Sequence, residues 1–435
     1  MLKEFKIHIR ENFPFLLESR LIVAISGGID SVVLAYLCKD VSLDIALAHC
    51  NFNLRGKESD EDQRFVEALG LKLGIETFVQ EFDTKNYAKE HKLSTQMAAR
   101  DLRYNWFDDL CERLNFDYIL TAHHADDNLE TFLINLSRGS GLDGLTGIPE
   151  IKGNIVRPLL QFARQDIEDF TQEFKIRWRE DKSNASTKYL RNKLRHEVIP
   201  ILKGINPQML KNFTETLDHL KGAKQIVEDR IDEVSDKVIE VKSNGVYLNI
   251  DVIKSQNNPK AYLYELLKDY GFKEWNDVVG LLDTQSGTQV FSKGWRLLKD
   301  RNHLILSELL EKEEFEALID KDKNRVSLPN GTMKISSVNV IDKLSNQTIY
   351  VDLDKLKFPL TVRKKREGDV FYPIGMKGKK KVSKYFKDEK FSLIDKENAL
   401  LMCSGDDIVW VIGYRADNRY KVTETTENIL KISFE

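Results

Sequence analysis

Cysteine is scarce in this chain, and its few cysteines follow no recognisable pattern. The four residues, Cys38, Cys50, Cys111 and Cys403, are scattered and form no Cys-x-x-Cys pair. Their spacing therefore indicates neither a disulfide framework nor a zinc or iron–sulfur site.

The chain also lacks long apolar runs and a strong net charge. No uninterrupted hydrophobic segment approaches the length of a membrane span, and residues 1–20 are charged, without the apolar stretch of a signal peptide. The formal net charge is −3, so the overall charge does not indicate a nucleic-acid partner. These absences predict a cytoplasmic protein with no membrane partner.

The length of the chain predicts more than one domain. Its 435 residues, of which 41% are hydrophobic, are too many for a single compact core. Changes in the hydrophobic pattern divide it into a catalytic α/β domain at 1–205, a mostly helical middle domain with a hairpin at 206–312, and a basic, β-rich C-terminal domain at 320–435.

The most informative stretch is a glycine turn between two apolar runs. Leu21 to Ile25 is typical of a buried strand, Ser26 to Asp30 form the turn, and a second apolar run from Val32 predicts a helix. Glycines expose bare backbone N–H groups, and a helix N-terminus adds more of them with a positive dipole. An anion, and phosphate above all, suits such a turn.

The turn does not match the two common phosphate loops. A kinase-type loop requires a Gly-Lys-Ser/Thr sequence, and a dinucleotide fingerprint requires a third glycine where Ser31 stands. Ser-Gly-Gly-x-Asp-Ser instead resembles the pyrophosphate loop of the N-type ATP pyrophosphatases. That resemblance implies ATP as cofactor, bound by residues 26–31 including Gly27, Gly28 and Ile29, with Asp30 on Mg²⁺. The alternative is a glycine-rich corner with no ligand.

Strands alternate with helical patterns through the first domain. Strands are predicted at 43–49, 75–82, 117–121 and 154–160, and this alternation favours a parallel sheet covered on both faces. Ligands bind such sheets at the C-terminal strand ends. Ser26, His49 and His123 are expected at those ends.

A second polar cluster follows the fourth strand. Residues 121–131 read Thr-Ala-His-His-Ala-Asp-Asp-Asn-Leu-Glu-Thr and run from a strand end into a helix. Acidic residues in a first helical turn ordinarily complement the dipole, which is the alternative for Asp126. Two histidines beside two carboxylates favour chemistry instead. We expect His123, His124 and Asp127 as catalytic candidates, and Asp126 and Asp127 with Asp30 as metal ligands.

Further sequence blocks follow one another along the chain: His49, Asn53–Gly56, Glu58–Asp60, Arg100, Arg103–Tyr104, His123–Thr131, Gly139–Leu145, Arg157–Leu160 and Tyr189–Glu197. In type and in order they resemble the tRNA(Ile)-lysidine synthetase family. The resemblance implies a carbon–nitrogen ligase that joins free L-lysine to the wobble cytidine of tRNA(Ile) with a CAU anticodon. A homodimer is a further family-level expectation.

The resemblance also implies roles for individual residues. His49 and Arg100 are expected near ATP. The residues expected to face tRNA or lysine are Arg55, Asn128, Glu130, Arg191, Asn192 and Arg195. The alternative for this segment is a basic helix capped by Ser183 or Asn184, with Arg191, Lys193 and Arg195 on a solvated face.

The rest of the chain predicts surfaces for the tRNA. Helical spacing over 206–238 indicates a long helical arm, and 311–324 is the best linker candidate. Eleven lysines and arginines against four acids lie between residues 361 and 390, interleaved with Phe371, Tyr372, Tyr385 and Phe386. Such a pattern suits phosphate contacts beside stacking or packing platforms.

Two other readings remain open. A tRNA thiolase of the same superfamily activates the same kind of carbonyl but needs cysteines or a cluster to deliver sulfur, and no cysteine pair is spaced for that. The chain could instead be a nucleotide-binding or RNA-binding module without catalysis. Two histidines with paired aspartates are more than binding requires.

Overall fold

The computed structural model describes residues 1–180, 190–242, 244–309, 315–342 and 345–435. Contacts divide the chain into two compact units, Met1–Glu228 and Asp229–Glu435. The division falls inside one long helix, so the predicted boundaries near residues 205 and 312–320 stay predictions. None of the helices in the described part of the chain is long and apolar enough to cross a membrane.

The first unit alternates strands and helices. Its strands are β1 Arg20–Ala24, β2 Asp44–Asn51, β3 Thr77–Glu81, β4 Tyr118–Leu120, β5 Ile151–Lys152 and β6 Ile155–Val156. Its helices are α1 Leu2–Asn12, α2 Ile29–Asp40, α3 Lys57–Leu73, α4 Thr84–Glu90, α5 Thr95–Leu114, α6 Ala125–Ser137, α7 Leu142–Leu145, α8 Arg164–Glu173, α9 Leu190–Lys193, α10 Ile199–Ile205 and the arm α11 Met209–Val238. A π-helical turn, Leu194–Val198, joins α9 to α10.

The six strands form one sheet in the order β3-β2-β1-β4-β6-β5. All neighbours pair in parallel except β5, which pairs antiparallel with β6. The predicted parallel α/β sheet is therefore confirmed. The predicted fifth strand at 154–160 is shorter than expected, because the chain turns back in a β5–β6 hairpin at the sheet edge.

Helices cover both faces of this sheet, which explains the continuous apolar run in β1. Leu21 and Val23 pack with α1, α2 and α3 on one face, while Ile22 packs with Phe107 and Leu110 of α5 on the other. Burying each such side chain stabilises the fold by about 1.5–3 kcal/mol. The C-terminal strand ends thus stand on a rigid, two-sided core.

The N-terminal part of the second unit is built on an antiparallel sheet. Its strands are β7 Ile239–Lys242, β8 Gly245–Asn249, β9 Gln289–Phe291, β10 Trp295–Asp300 and β11 His303–Glu308, in the order β7-β8-β11-β10-β9. Its helices are α12 Ile250–Lys254, α13 Pro259–Leu267 and α14 Trp275–Gly280. The predicted hairpin and helical arm are present, but the middle region is less purely helical than expected.

The remainder of the second unit is β-rich, as predicted. Its strands are β12 Glu316–Ile319, β13 Arg325–Leu328, β14 Gly331–Val338, β15 Thr348–Asp352, β16 Leu360–Lys364, β17 Val370–Phe371, β18 Lys380–Lys381, β19 Leu400–Ser404, β20 Asp407–Val411, β21 Arg415–Ala416 and β22 Ile429–Phe434. Two short helices are α15 Val382–Asp388 and α16 Leu393–Asn398. The larger sheets run β12-β16-β19-β20-β21 and β13-β14-β22-β15, and β17 pairs with β18.

One expectation about this region needs correction, and another is narrowed. The linker predicted at 311–324 contains β12, which pairs antiparallel with β16, while residues 311–314 lie outside the described part of the chain. Of the interleaved aromatics, expected as stacking or packing platforms, Phe371, Tyr385 and Phe386 are buried in a local core and serve packing. On α15 the aromatic face turns inward and the lysines stay outside.

Candidate active site

The glycine turn joins β1 to α2 as the sequence predicts, but the helix begins earlier, at Ile29. Asp30 and Ser31 therefore lie in its first turn. Gly27 adopts a φ of 88°, a conformation that side chains disfavour, and its carbonyl accepts a hydrogen bond from the Arg179 N–H at 2.9 Å. The turn is thus a fixed backbone cradle at a helix N-terminus.

Hydroxyl groups hold the turn from inside. Ser31 Oγ donates to the Gly28 carbonyl at 2.9 Å and accepts from the Ser26 N–H at 3.2 Å. Ser26 Oγ in turn accepts from the Gly28 N–H at 3.3 Å. These contacts order the loop before any ligand arrives.

His49 supports the turn from below. It lies within β2 rather than beyond its end, it is buried, and its Nδ1 lies 2.9 Å from the Ile25 carbonyl. Burial lowers the pKa of His49 and keeps the ring neutral. The structure therefore gives His49 a position behind the loop backbone.

The segment after β4 brings two histidines to the same strand edge. His123 Nδ1 lies 3.0 Å from Thr121 Oγ1, and burial lowers the pKa of His123 to about 4. His124 Nε2 lies 3.7 Å from Asp30 Oδ1 and 3.4 Å from Asp127 Oδ2. Its Nδ1 is buried without a hydrogen-bond partner among the residues that the structure describes. The glycine turn and the start of α6 thus meet at His124.

Two arginines cover the carboxylates of α6. Arg195 donates to Asp127 Oδ1 at 2.9 Å and to Glu130 Oε1 at 2.5 Å. Arg191 Nε donates to Glu130 Oε2 at 2.7 Å. These shared partners show that Asp127 and Glu130 lie on the same side of α6.

The charges around Asp127 decide its protonation. Burial alone would raise the pKa of the Asp127 carboxyl, but its electrostatic interactions with His124 and Arg191 outweigh burial and lower that pKa. At the turn, burial dominates and raises the pKa of Asp30, although His124 and Arg164 oppose it. Asp127 is therefore ionised in the site.

Asp126 has a different environment from the other two predicted metal ligands. Its Oδ2 accepts from the Arg164 backbone N–H at 2.8 Å, and its Oδ1 pairs with Lys203. Asp126 thus ties the start of α8 and helix α10 to α6. This position fits the dipole-complement alternative better than metal binding.

The donor set was also compared with what Mg²⁺ requires. Within the described ranges, no group of three or more His, Cys, Asp or Glu side chains is arranged to hold a metal. Mg²⁺ on nucleotides usually takes one or two carboxylates together with phosphate oxygens. Asp30 and Asp127, whose carboxylates both approach His124 Nε2, are the two carboxylates suited to such a Mg²⁺ site.

The remaining predicted residues are spread around this centre. Arg55 pairs with Asp62 at 2.8 Å on α3, and exposed Arg100 lies over the Tyr104 ring on α5 at 4.8 Å. Asn128 is buried and its Oδ1 accepts from the Ile148 N–H at 2.7 Å, which anchors the loop after α7. Asn192 is half-buried on α9. The proposed caps Ser183 and Asn184 lie outside the described residues.

Sequence reasoning missed three basic residues near the centre. Arg164 pairs with Asp30, Lys203 pairs with Asp126, and Arg157 is buried with Nη1 donating to the Pro149 carbonyl at 2.7 Å. Arg157 opens one of the sequence blocks that resemble the family, and an arginine directly before a Pro-Leu-Leu run was the signal that could have identified it. Arg164 and Lys203 are single residues on ordinary helices, so no local pattern marks them.

Comparison with known proteins agrees with this architecture. The PP-loop domain family matches residues 1–202, the TilS substrate binding domain family residues 241–309, and the TilS substrate C-terminal domain family residues 360–433. The tRNA(Ile)-lysidine synthase of Parabacteroides distasonis is 39% identical over 100% of both chains, and that of Bacteroides thetaiotaomicron is 38% identical over 97% of each. A solved U34-tRNA thiolase, NcsA from Methanococcus maripaludis, covers 50% of this chain and 79% of its own at 18% identity, with a TM-score of 0.41.

The fold, the glycine turn and the first family match define an ATP-using enzyme of the PP-loop class. Full-length similarity to the curated relatives narrows this class. The chain belongs to the tRNA(Ile)-lysidine synthase family.

Proposed function

We propose that this chain ligates free L-lysine to carbon 2 of the wobble cytidine in the CAU anticodon of tRNA(Ile), using ATP. The product is lysidine, with AMP and pyrophosphate released, and the codon read changes from AUG to AUA. The observation that carries the proposal is the approach of Asp30, from the glycine turn, and Asp127, from α6, to the same nitrogen of His124. Nucleotide-binding and acid–base groups then share one centre.

The first step would transfer AMP to the tRNA. The cytidine O2 forms a bond to the α-phosphorus of ATP, and the bond to pyrophosphate breaks. The N–H groups of residues 26–31 are suited to hold the departing diphosphate. Mg²⁺, held by Asp30 and Asp127 with phosphate oxygens, would neutralise charge on that diphosphate. The ring oxygen thereby becomes part of a good leaving group.

The second step would join lysine to carbon 2. The ε-amine forms the new C–N bond, the bond from carbon 2 to the oxygen of AMP breaks, and the amine loses a proton. Free lysine has a pKa near ~10.4, so the amine must be deprotonated on the enzyme. The carboxylates of Asp127 and Glu130 are suited to bind the ammonium. The proton would pass to solvent, because the lowered pKa of Asp127 makes this carboxylate a weak base.

His123 suits a different role from the proton acceptor first considered. With a pKa of about 4 it is neutral at physiological pH, so it is a weak base there. A neutral imidazole can still hydrogen-bond to a pyrimidine edge. We therefore assign His123 the role of positioning the cytidine. His124 would contact the carboxylates of both Asp30 and Asp127.

The thiolase alternative has less support. Burial raises the pKa of Cys50 to about 12 and the pKa of Cys111 and of Cys403 to about 11. Burial also raises the pKa of Cys38. A thiol that stays protonated is a poor nucleophile and a poor cluster ligand. These thiols do not suit sulfur delivery.

AMP release tests the proposal. The purified chain is incubated with ATP and Mg²⁺, with and without lysine, and with transcripts of tRNA(Ile) and tRNA(Met) that both carry CAU. Lysine-dependent AMP formation with tRNA(Ile) alone is expected. ATP binding without turnover would favour the binding module, and turnover that requires a sulfur donor would favour the thiolase.

Two finer expectations complete the proposal. We infer a cytoplasmic location, where tRNA, lysine and ATP are all available, and a homodimer as the family resemblance implies. Light scattering of the purified chain measures the mass, and a mass of one chain at micromolar concentration would contradict the dimer.

A further inference from the structure

A guanidinium lies next to the carboxylate to which the metal is assigned. Arg164 Nη1 is 2.5 Å from Asp30 Oδ1, and Arg164 Nε is 2.9 Å from Glu168 Oε1. The arginine opens α8, and its backbone N–H is tied to Asp126 at 2.8 Å. The base of this side chain is therefore fixed, while the side chain as a whole is 36% exposed, which leaves its guanidinium room to change partners.

One oxygen of Asp30 cannot serve both cations at once. A divalent ion on Asp30 would repel a guanidinium 2.5 Å from the same carboxylate oxygen, so Arg164 would have to find another anion. The closest new anion would be the phosphate chain that arrives with the metal on the turn beginning at Ser26. A planar guanidinium matches phosphate oxygens in two-point contacts.

We propose that Arg164 is a phosphate-binding residue that holds Asp30 in the free enzyme and moves to the diphosphate of ATP when Mg²⁺ takes its place. This inference rests on the proposed function, because it assumes that the turn holds the diphosphate. The arginine would contribute positive charge near the bond that breaks, beside the N–H groups of the turn. It touches substrate in that state and is not only a partner of Asp30.

The alternative is a structural ion pair. In that case Arg164 would only neutralise Asp30, and its removal would leave phosphate binding unchanged while Mg²⁺ bound Asp30 more readily. The two readings therefore differ in the effect of removing Arg164 on phosphate binding when Mg²⁺ is present.

Calorimetric titration of inorganic pyrophosphate into the full chain at a saturating concentration of Mg²⁺ separates them. For Arg164→Ala, we expect the affinity for pyrophosphate to fall about 10- to 100-fold, since one charged hydrogen-bonding partner is lost. Arg164→Lys should recover part of the loss, because it keeps the charge but not the second donor. Arg113→Ala, which removes an exposed partner of Asp109 on α5, is the matched control and should bind as the wild type does.

The titrations have distinct outcomes. Wild-type affinity in Arg164→Ala overturns the proposal, whatever happens to Mg²⁺ binding, and near-ultraviolet circular dichroism verifies that the variant is folded. If the wild type itself does not bind pyrophosphate, the diphosphate site of the proposed function fails together with this inference. If the wild type and Arg164→Ala bind equally well, only the role of Arg164 fails.

Discussion

At the scale of single residues, Asp127 connects the two halves of the site. Its Oδ2 faces His124, and its Oδ1 accepts from Arg195. Asn has the same shape but no charge, and under the proposed function an Asn there could not share the metal that neutralises the departing diphosphate. The proposal therefore requires the charge of this carboxylate more than its volume.

We predict that Asp127→Asn lowers adenylation of tRNA(Ile) at least 100-fold while the chain stays folded, since loss of one group that stabilises charge developing in the transition state typically costs about 10²–10³-fold. Transfer of radiolabelled AMP to the tRNA measures it. Asp109→Asn, at an exposed pair on α5, is the control and should retain full activity. Near-normal adenylation by Asp127→Asn would remove Asp127 from the mechanism.

His8 gives a separate prediction about acid stability. It is buried beside Phe13 and Phe162, and burial lowers its pKa to about 4. Because the unfolded histidine has a pKa of ~6.5, the contribution of His8 to the free energy of unfolding is fully present above that pH and is lost as the pH falls toward 4. The loss amounts to about 3 kcal/mol.

Urea unfolding of the wild type and His8→Gln between pH 8 and pH 4 tests this point. The variant should lose less stability than the wild type on acidification, by up to about 3 kcal/mol. His123 adds a similar slope in both proteins, which cancels in the comparison. Parallel pH profiles would show that His8 is not responsible.

At the scale of elements, the connection between β1 and α2 creates the anion site. The strand is buried on both faces, so its C-terminal end cannot shift, and Gly27 makes the turn possible at a φ of 88°. A Cβ at Gly27 would meet Phe65 at 3.5 Å and Val66 at 3.7 Å, which is ordinary contact. The backbone conformation, more than the available space, is what demands glycine.

We predict that Gly27→Ala weakens ATP binding at least tenfold and destabilises the fold by about 1–2 kcal/mol, because a side chain disfavours this φ and the turn must move. Gly74→Ala is the matched control. Gly74 ends α3 at a φ of 63°, and a Cβ there would meet no atom within 4 Å. The backbone strain of an alanine is therefore similar, but it lies away from the turn. It should lose stability and keep ATP affinity, and equal loss of affinity in both would contradict the prediction.

At the scale of the whole molecule, the second unit combines both families matched outside the PP-loop domain. Leu298 and Ile305 of the middle sheet pack with Ile394 of α16, and Arg296 pairs with Glu397 at 2.9 Å. Deleting residues 325–435 would expose this apolar contact. Surface charge substitutions are therefore the better test of tRNA binding.

We predict that replacing Lys377, Lys379 and Lys384 together by alanine weakens tRNA binding. The slope of log affinity against log salt concentration should fall by the equivalent of about two to three phosphate contacts. All three are exposed, and ATP affinity should not change. Replacement of Lys3, Lys6 and Arg10 on α1 removes the same charge and is the control. Equal tRNA affinity and salt slope in the two variants would contradict a tRNA surface on the C-terminal region.

Local sequence information was sufficient for the elements that carry it in their own residues. Continuous apolar runs predicted β1, β2 and β4, and the glycine turn predicted the connection from β1 into α2. The helical spacing of residues 206–238 likewise predicted the arm. In each case neighbouring residues in the chain dictate the conformation, through burial, φ preference or helix periodicity.

Only the tertiary structure decided which charges meet. Arg164 and Asp30 are far apart in sequence, as are Arg195 and Glu130, so no local pattern joins them. Folding also gave apparently equivalent residues different surroundings: Asp126 caps α8 while Asp127 faces His124, and Tyr385 is core although lysines flank it. The physical reason is that the chain's local preferences fix each element, whereas burial and ion pairing depend on how distant elements pack.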